Sequence, residues 1–242
     1  MDFIKGKTPK ILLIGFIVIG LTGGIVLFQT LKRPVPSFTG QLPESFTFFD
    51  LGANSRFDSQ MRDILKNRLG SDSIAYRGTL DLIGTDSAFF HTHFKRLHAL
   101  HVALNSPPGE RVEHNIVKLT YRYSWRQDSP FKYVDLIFSN HTGIPLVFNI
   151  LMTREGSGIL DALIQKYGPP IDIVDDGSSE KIQYWEREQD ILIVSVGTDR
   201  LGNLEYRVRI YFVNSLSMLL ETEKEETRLR EEKIRRAADR AF

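Results

Sequence analysis

The order of apolar and polar positions divides the chain into three regimes. Ile11 to Leu31 is an uncharged stretch of 21 residues, 14 of them Ile, Leu, Val or Phe. As a helix it would be about 31 Å long, close to the roughly 30 Å hydrocarbon core of a bilayer. A helix apolar all round for that length is a membrane span rather than one face of a globular core. The chain leaves it through Gln29-Thr30-Leu31-Lys32-Arg33-Pro34, with no small-x-small cleavage site, so the segment reads as an uncleaved anchor.

Behind the anchor the periodicity changes. Residues 32–43 carry Pro34, Pro36, Gly40 and Pro43 and read as an extended spacer. Phe57, Met61, Ile64, Leu65 and Leu69 recur at helical spacing, so a helix is expected over Ser55 to Leu69, capped by Ser55 and stopped by Gly70. Ile74 to Tyr76 and Thr79 to Ile83 suggest strand. From Leu97 the alternation turns to period two, predicting strands over Leu97–Leu104 and Ile116–Trp125. The second has Val117, Leu119, Tyr121, Tyr123 and Trp125 on one side. A hairpin follows, from Tyr133 to Phe138 and back through Leu146 to Met152. A second helix built on Ile159, Leu160, Leu163 and Ile164 closes at Gly168-Pro169-Pro170. Strands over Ile182–Trp185, Ile191–Val196 and Tyr206–Val213 come next. The short connections demand antiparallel pairing.

The third regime runs from Ser217 to Phe242 and is a charged helix, with Glu226/Arg230, Glu231/Arg235 and Glu232/Arg236 in the favourable i,i+4 order. The expected architecture is α+β: a basic tail (1–10), an anchor (11–31), a spacer (32–43), a globular domain of antiparallel sheet with two packed helices (44–215), and a helical tail (216–242). Both predicted helices end in a glycine followed by strands, at Leu69-Gly70 and Tyr167-Gly168. A glycine stop followed by strand is a common local way to end any helix; the alternative is two duplicated lobes, divided near residues 126–130.

Charge and composition narrow the function. Net charge is +1 with both signs interleaved, and no basic, aromatic-rich block marks a nucleic-acid footprint. No cysteine is present, which removes thiolate metal sites, disulfides and a lipidated cysteine. Lys5, Lys7 and Lys10 precede the anchor, while Lys32 and Arg33 follow it. This bias, with a short N-terminal tail that stays inside more easily than a folded domain, favours a cytoplasmic N-terminus and a domain outside. Gly20 and Gly24 form a G-x-x-x-G pair suited to helix packing in the bilayer.

His91, His93, His98 and His101, four of the six histidines, fall within eleven residues and are the candidate metal ligands. On a strand His91 and His93 would share a face; on a helix His98 and His101 would. A surface or structural role is the plainer reading, since no carboxylate or thiolate joins them in a known spacing. Asp172, Asp175 and Asp176 lack calcium-loop spacing, and Gly156-Ser157-Gly158 reads as a loop before a helix. Asn140-His141-Thr142 has the form of a glycosylation triplet. No nucleophile elbow, phosphate loop or dinucleotide fingerprint occurs, and no cofactor is implied.

From Leu160 to Val213 the order is helix, Tyr167-Gly168-Pro169 exit, strand with Trp185, then two strands. This stretch resembles the helix-plus-sheet modules of bacterial envelope proteins, such as the lipoprotein family of the outer-membrane assembly machinery. The resemblance implies an envelope setting, and the missing lipidation cysteine departs from that family. The expected function is a membrane-anchored, non-enzymatic envelope protein that binds or scaffolds another protein, or itself. A metal-binding protein using the four histidines is one alternative, and an enzyme with a dispersed site is another.

Overall fold

Eight strands form one antiparallel sheet in the computed structural model, which describes residues 45–84, 87–123, 129–174 and 181–241. The anchor at 11–31, its Gly20 and Gly24, and the spacer at 32–43 lie outside the described residues. Among the described residues no helix is long and apolar enough to cross a membrane. The strands are β1 (Ser73–Ala75), β2 (Ile116–Arg122), β3 (Phe131–Ser139), β4 (Pro145–Met152), β5 (Asp172–Val174), β6 (Lys181–Arg187), β7 (Asp190–Thr198) and β8 (Leu204–Tyr211). The helices are α1 (Ser59–Leu69), α2 (Ser87–His93), α3 (Lys95–Leu104), α4 (Ile159–Tyr167) and α5 (Val213–Ala241).

The strand order is β1-β2-β3-β4-β8-β7-β6-β5. Helix followed by a four-strand meander therefore occurs twice, as α1 with β1–β4 and α4 with β5–β8. The last strands of the two runs meet along Val147↔Tyr211 to Met152↔Tyr206. Antiparallel pairing there relates the two runs by an approximate two-fold axis through the sheet. The same order of elements thus occurs twice along the chain, and the two runs meet at β4 and β8. Residues 126–130 do not divide lobes: β2 and β3 on either side pair from Ile116↔Ser139 to Arg122↔Tyr133.

Alternation along the strands fills two cores. Val117, Leu119 and Tyr121 of β2, Phe148 and Ile150 of β4, and Val208 and Ile210 of β8 face α1 and α4. Ile137, Val147, Ile193 and Tyr211 face the other way, against α2, α3 and the start of α5. Covering both faces is what makes β4 and β7 nearly continuous runs of apolar residues, while β8 alternates Glu205, Arg207 and Arg209 with Tyr206, Val208 and Ile210.

Each repeat ties its helix to the sheet in the same manner. Gly70 and Gly168, at φ 89° and 85°, end α1 and α4 in the left-handed region that suits glycine. The Tyr123 hydroxyl donates to Leu69 O at 2.7 Å, and Trp185 Nε1 donates to Gly168 O at 2.8 Å.

Several expectations are corrected. Helix α1 begins at Ser59, because the Asp58 carboxylate accepts from Met61 N; Ser55 instead accepts from Gly52 N. Leu97–Leu104 is helix α3, not strand. Leu97, Leu100 and Leu104 are buried on one helix face and Val102 is exposed, a pattern that overlaps alternation at positions 100, 102 and 104. Thr79 to Ile83 is loop, and α2 and α3 form an insert between β1 and β2. Five helices are described where two packed helices and the tail were expected.

Candidate functional site

The four clustered histidines all sit on the α2–α3 insert, where His91 and His98 meet while His93 and His101 turn to other partners. On helix α2, His91 and His93 are two residues apart and point different ways. His93 stacks near Phe89, with ring centroids 5.0 Å apart, while His91 meets His98 edge to face at 5.1 Å. His98 Nε2 lies 3.4 Å from Ser87 Oγ. His101 turns inward, where its Nδ1 accepts from Leu82 N at 3.3 Å and holds the loop ahead of the insert. Burial lowers the His101 imidazole below its ordinary value. Among the described residues no group of three or more His, Cys, Asp or Glu could hold a metal ion.

The remaining two histidines have partners. His114 is 1% exposed, and its Nδ1 lies 2.7 Å from Glu223 Oε2 on α5. The other oxygen of Glu223 accepts from Asn115 N at 3.2 Å. One helical turn on, Glu226 lies 3.5 Å from His141 Nδ1 in the β3–β4 turn. So α5, after packing Leu216 and Leu219 into the core, is clasped to the ends of β2 and β3 by two carboxylates. The spacing expected to give Glu226–Arg230 instead gives Glu226 to His141, and Arg228 pairs with Glu225. In the Asn140 triplet, the side-chain amide donates to Asn115 Oδ1 at 2.7 Å.

The most developed concavity is a groove of about 740 Å³ where β3 and β8 begin and β4 and β7 end. Tyr123 and Phe131 give it an aromatic wall, and Lys132, Arg154, Asp199 and Glu205 give it both charges. Lys132 Nζ contacts the Glu205 carboxylate and lies 3.7 Å from Asp199 Oδ2. These acids, Glu205 first, hold the lysine above its ordinary value. Asp199 organises the adjoining β7–β8 turn by accepting from Leu201 N and Asn203 N, each at 2.9 Å. The Asn203 backbone N–H is the main cause that keeps its carboxyl below the usual range. The turn holds Leu201 outward, 86% exposed. Arg154, in the 3₁₀ turn after β4, forms no ion pair among the described residues.

Among the described residues Lys132 engages the carboxylates of Asp199 and Glu205 in this groove. The groove offers an aromatic surface and a fork of guanidinium donors for recognition, with Leu201 projecting from the adjoining turn. The sequence pattern places strands on either side of residues 198–203 but does not show the groove, whose lining comes from strand ends far apart in the chain.

A second, smaller groove of about 430 Å³ lies at the opposite end of the sheet. Ser45, Ile144, Asp190, Ser215 and Met218 line it, so the first described residue sits against the first turns of α5. Asp190 is buried and accepts from Val213 N at 3.0 Å, capping α5 from the β6–β7 hairpin. Burial pushes its carboxyl up to about 6.

No family model, curated protein or solved structure matches this chain.

Proposed function

We propose that the chain is a membrane-anchored, non-enzymatic protein of the bacterial envelope. Its N-terminus lies in the cytoplasm, and its α+β domain binds or scaffolds another protein in the periplasm. The anchor rests on the apolar length of residues 11–31, and the envelope setting on the resemblance over Leu160 to Val213. The observation that carries the binding role is the groove at the β7–β8 end. It combines an aromatic wall, paired charges and the exposed Leu201, and it lies at the far end of the sheet from Ser45. Aromatic side chains beside an arginine are the composition that binding hot spots favour, which Tyr123, Phe131 and Arg154 supply here.

The test is to extract the full-length chain in mild detergent after cross-linking and identify what is joined to it. A single envelope protein recovered with the native chain, and lost on Leu201→Glu without loss of folding, supports the reading. Recovery of the same partner from the variant, or turnover of a substrate by the purified chain, overturns it.

A further inference from the structure

We propose that the distal part of α5, Thr227 to Asp239, docks on an anionic lipid surface; this deepens the anchored reading above and depends on it. Helix α5 is 29 residues, about 44 Å, and among the described residues only its first four turns, to Glu226, meet the body. Past Glu226 all residues to Asp239 except Glu232 are exposed.

The exposed part is sided. At about 100° per residue, Leu229, Arg230, Lys233 and Arg236 fall within one sector of about 120°. Glu231 and Asp239 turn away from it. Glu232, at its border, is taken up by Arg228 and Arg236. Arg230 and Lys233 have no carboxylate partner among the described residues. Followed back along the helix, the same sector holds Glu226, which pairs with His141, the buried Leu219, and Met218 and Ser215, which line the groove where Ser45 lies.

A plane of phosphate headgroups fits this face better than a protein does. Its exposed apolar contacts are Met218 at 54% and Leu229 at 50%, three turns apart and too sparse for a helix–helix seam. A basic helix face with a few apolar contacts is sufficient for interfacial binding to anionic lipid, where each Lys or Arg near the surface contributes. A second copy of the chain would present the same cations and repel them.

The chain has no cysteine, so single-site labels report cleanly. A fluorophore on Ala237→Cys is placed on the full chain, reconstituted in vesicles of phosphatidylcholine alone or mixed with phosphatidylglycerol. Quenching by neutral acrylamide is expected to fall several-fold in the mixed vesicles, and to return with Arg230→Glu/Lys233→Glu or at about 1 M salt, where the Debye length is about 3 Å. A label on Glu231→Cys, on the far side, stays quenched in both. Equal quenching of the Ala237→Cys label in both lipids overturns the proposal. So does protection in cell membranes but not in mixed vesicles, which indicates a protein partner. Failure of the anchor itself is seen separately, as release of the chain by alkaline carbonate. Co-sedimentation of the released chain with the same two vesicle types then decides the role of α5.

Discussion

Tyr123 donates its phenolic hydrogen to the carbonyl of Leu69 at 2.7 Å, fastening the C-terminal end of α1 to the end of β2. Two residues earlier on the same face, the Tyr121 hydroxyl is fully buried with no hydrogen-bond partner, and burial raises its pKa. The same substitution should therefore have opposite effects. Tyr123→Phe strands a helix-end carbonyl and is expected to destabilise by about 1–3 kcal/mol. Tyr121→Phe removes a buried unsatisfied hydroxyl at nearly constant shape, so it is expected to be neutral or stabilising by up to about 1 kcal/mol. Urea unfolding of the two variants checks the contrast, and equal losses would refute it.

Asp190 gives a pH dependence of defined sign. Its folded-state pKa of about 6 lies above the unfolded value of about 3.9, chiefly through burial. Between those values the folded chain holds a proton that the unfolded chain has released, so stability falls as pH rises from about 4 to about 6, by up to about 3 kcal/mol. Asp190→Asn keeps an acceptor for Val213 N and abolishes this dependence. The difference between native and variant unfolding free energies, measured across that window, should widen with pH and then level off above it.

The strength of local signals set what was legible. β6, β7 and β8 were visible because alternating apolar residues are bounded by turn chemistry at Glu188-Gln189 and Asp199-Arg200-Leu201-Gly202-Asn203. The helix exits at Gly70 and Gly168 were visible because a left-handed residue has few alternatives. β5 was missed because it is a three-residue edge strand. Helix α3 was missed because Leu100, Val102 and Leu104 alternate as a strand would, while Leu97, Leu100 and Leu104 also fit a helix. The groove left no trace, since Lys132, Arg154 and Glu205 meet only through strand register, which one sequence does not display.

The histidine cluster should prove structural where it is buried and dispensable where it is not. His101→Ala removes the acceptor for Leu82 N and is expected to destabilise by about 1 kcal/mol, whereas His93→Ala should change little. Because His101 is held below its ordinary pKa, its neutral form favours folding, and that contribution is lost as pH falls below about 6.5. Elemental analysis of the purified chain should find no stoichiometric metal bound to these four residues. A one-to-one metal content abolished by His91→Ala/His98→Ala would overturn this.

Gly156 is a packing requirement. A Cβ there would stand 2.8 Å from Met152 Cβ and 2.9 Å from its Cε, closer than side chains tolerate. Gly156→Ala is expected to destabilise by about 1–3 kcal/mol. Shortening the neighbour relieves the Cε clash, so Gly156→Ala with Met152→Ala should lose less than the sum of the single changes. Strict additivity in that double-mutant cycle would show that the two residues do not compete for the space.

The clasp between Glu223 and His114 should govern how firmly α5 stays on the sheet. Glu223→Ala leaves the His114 Nδ1 without its partner in a site where Nε2 already has none, and it frees Asn115 N as well. Removing a charged acceptor from buried donors costs about 1–3 kcal/mol. Leu216 and Leu219 still hold the first two turns, so the loss should be local rather than global. Amide exchange is the discriminating measurement: protection should drop from Leu220 onward and at Asn115, while β4, β7 and β8 keep theirs. Uniform loss of protection across the sheet would mean that α5 is part of the main cooperative unit rather than a helix held on by a latch.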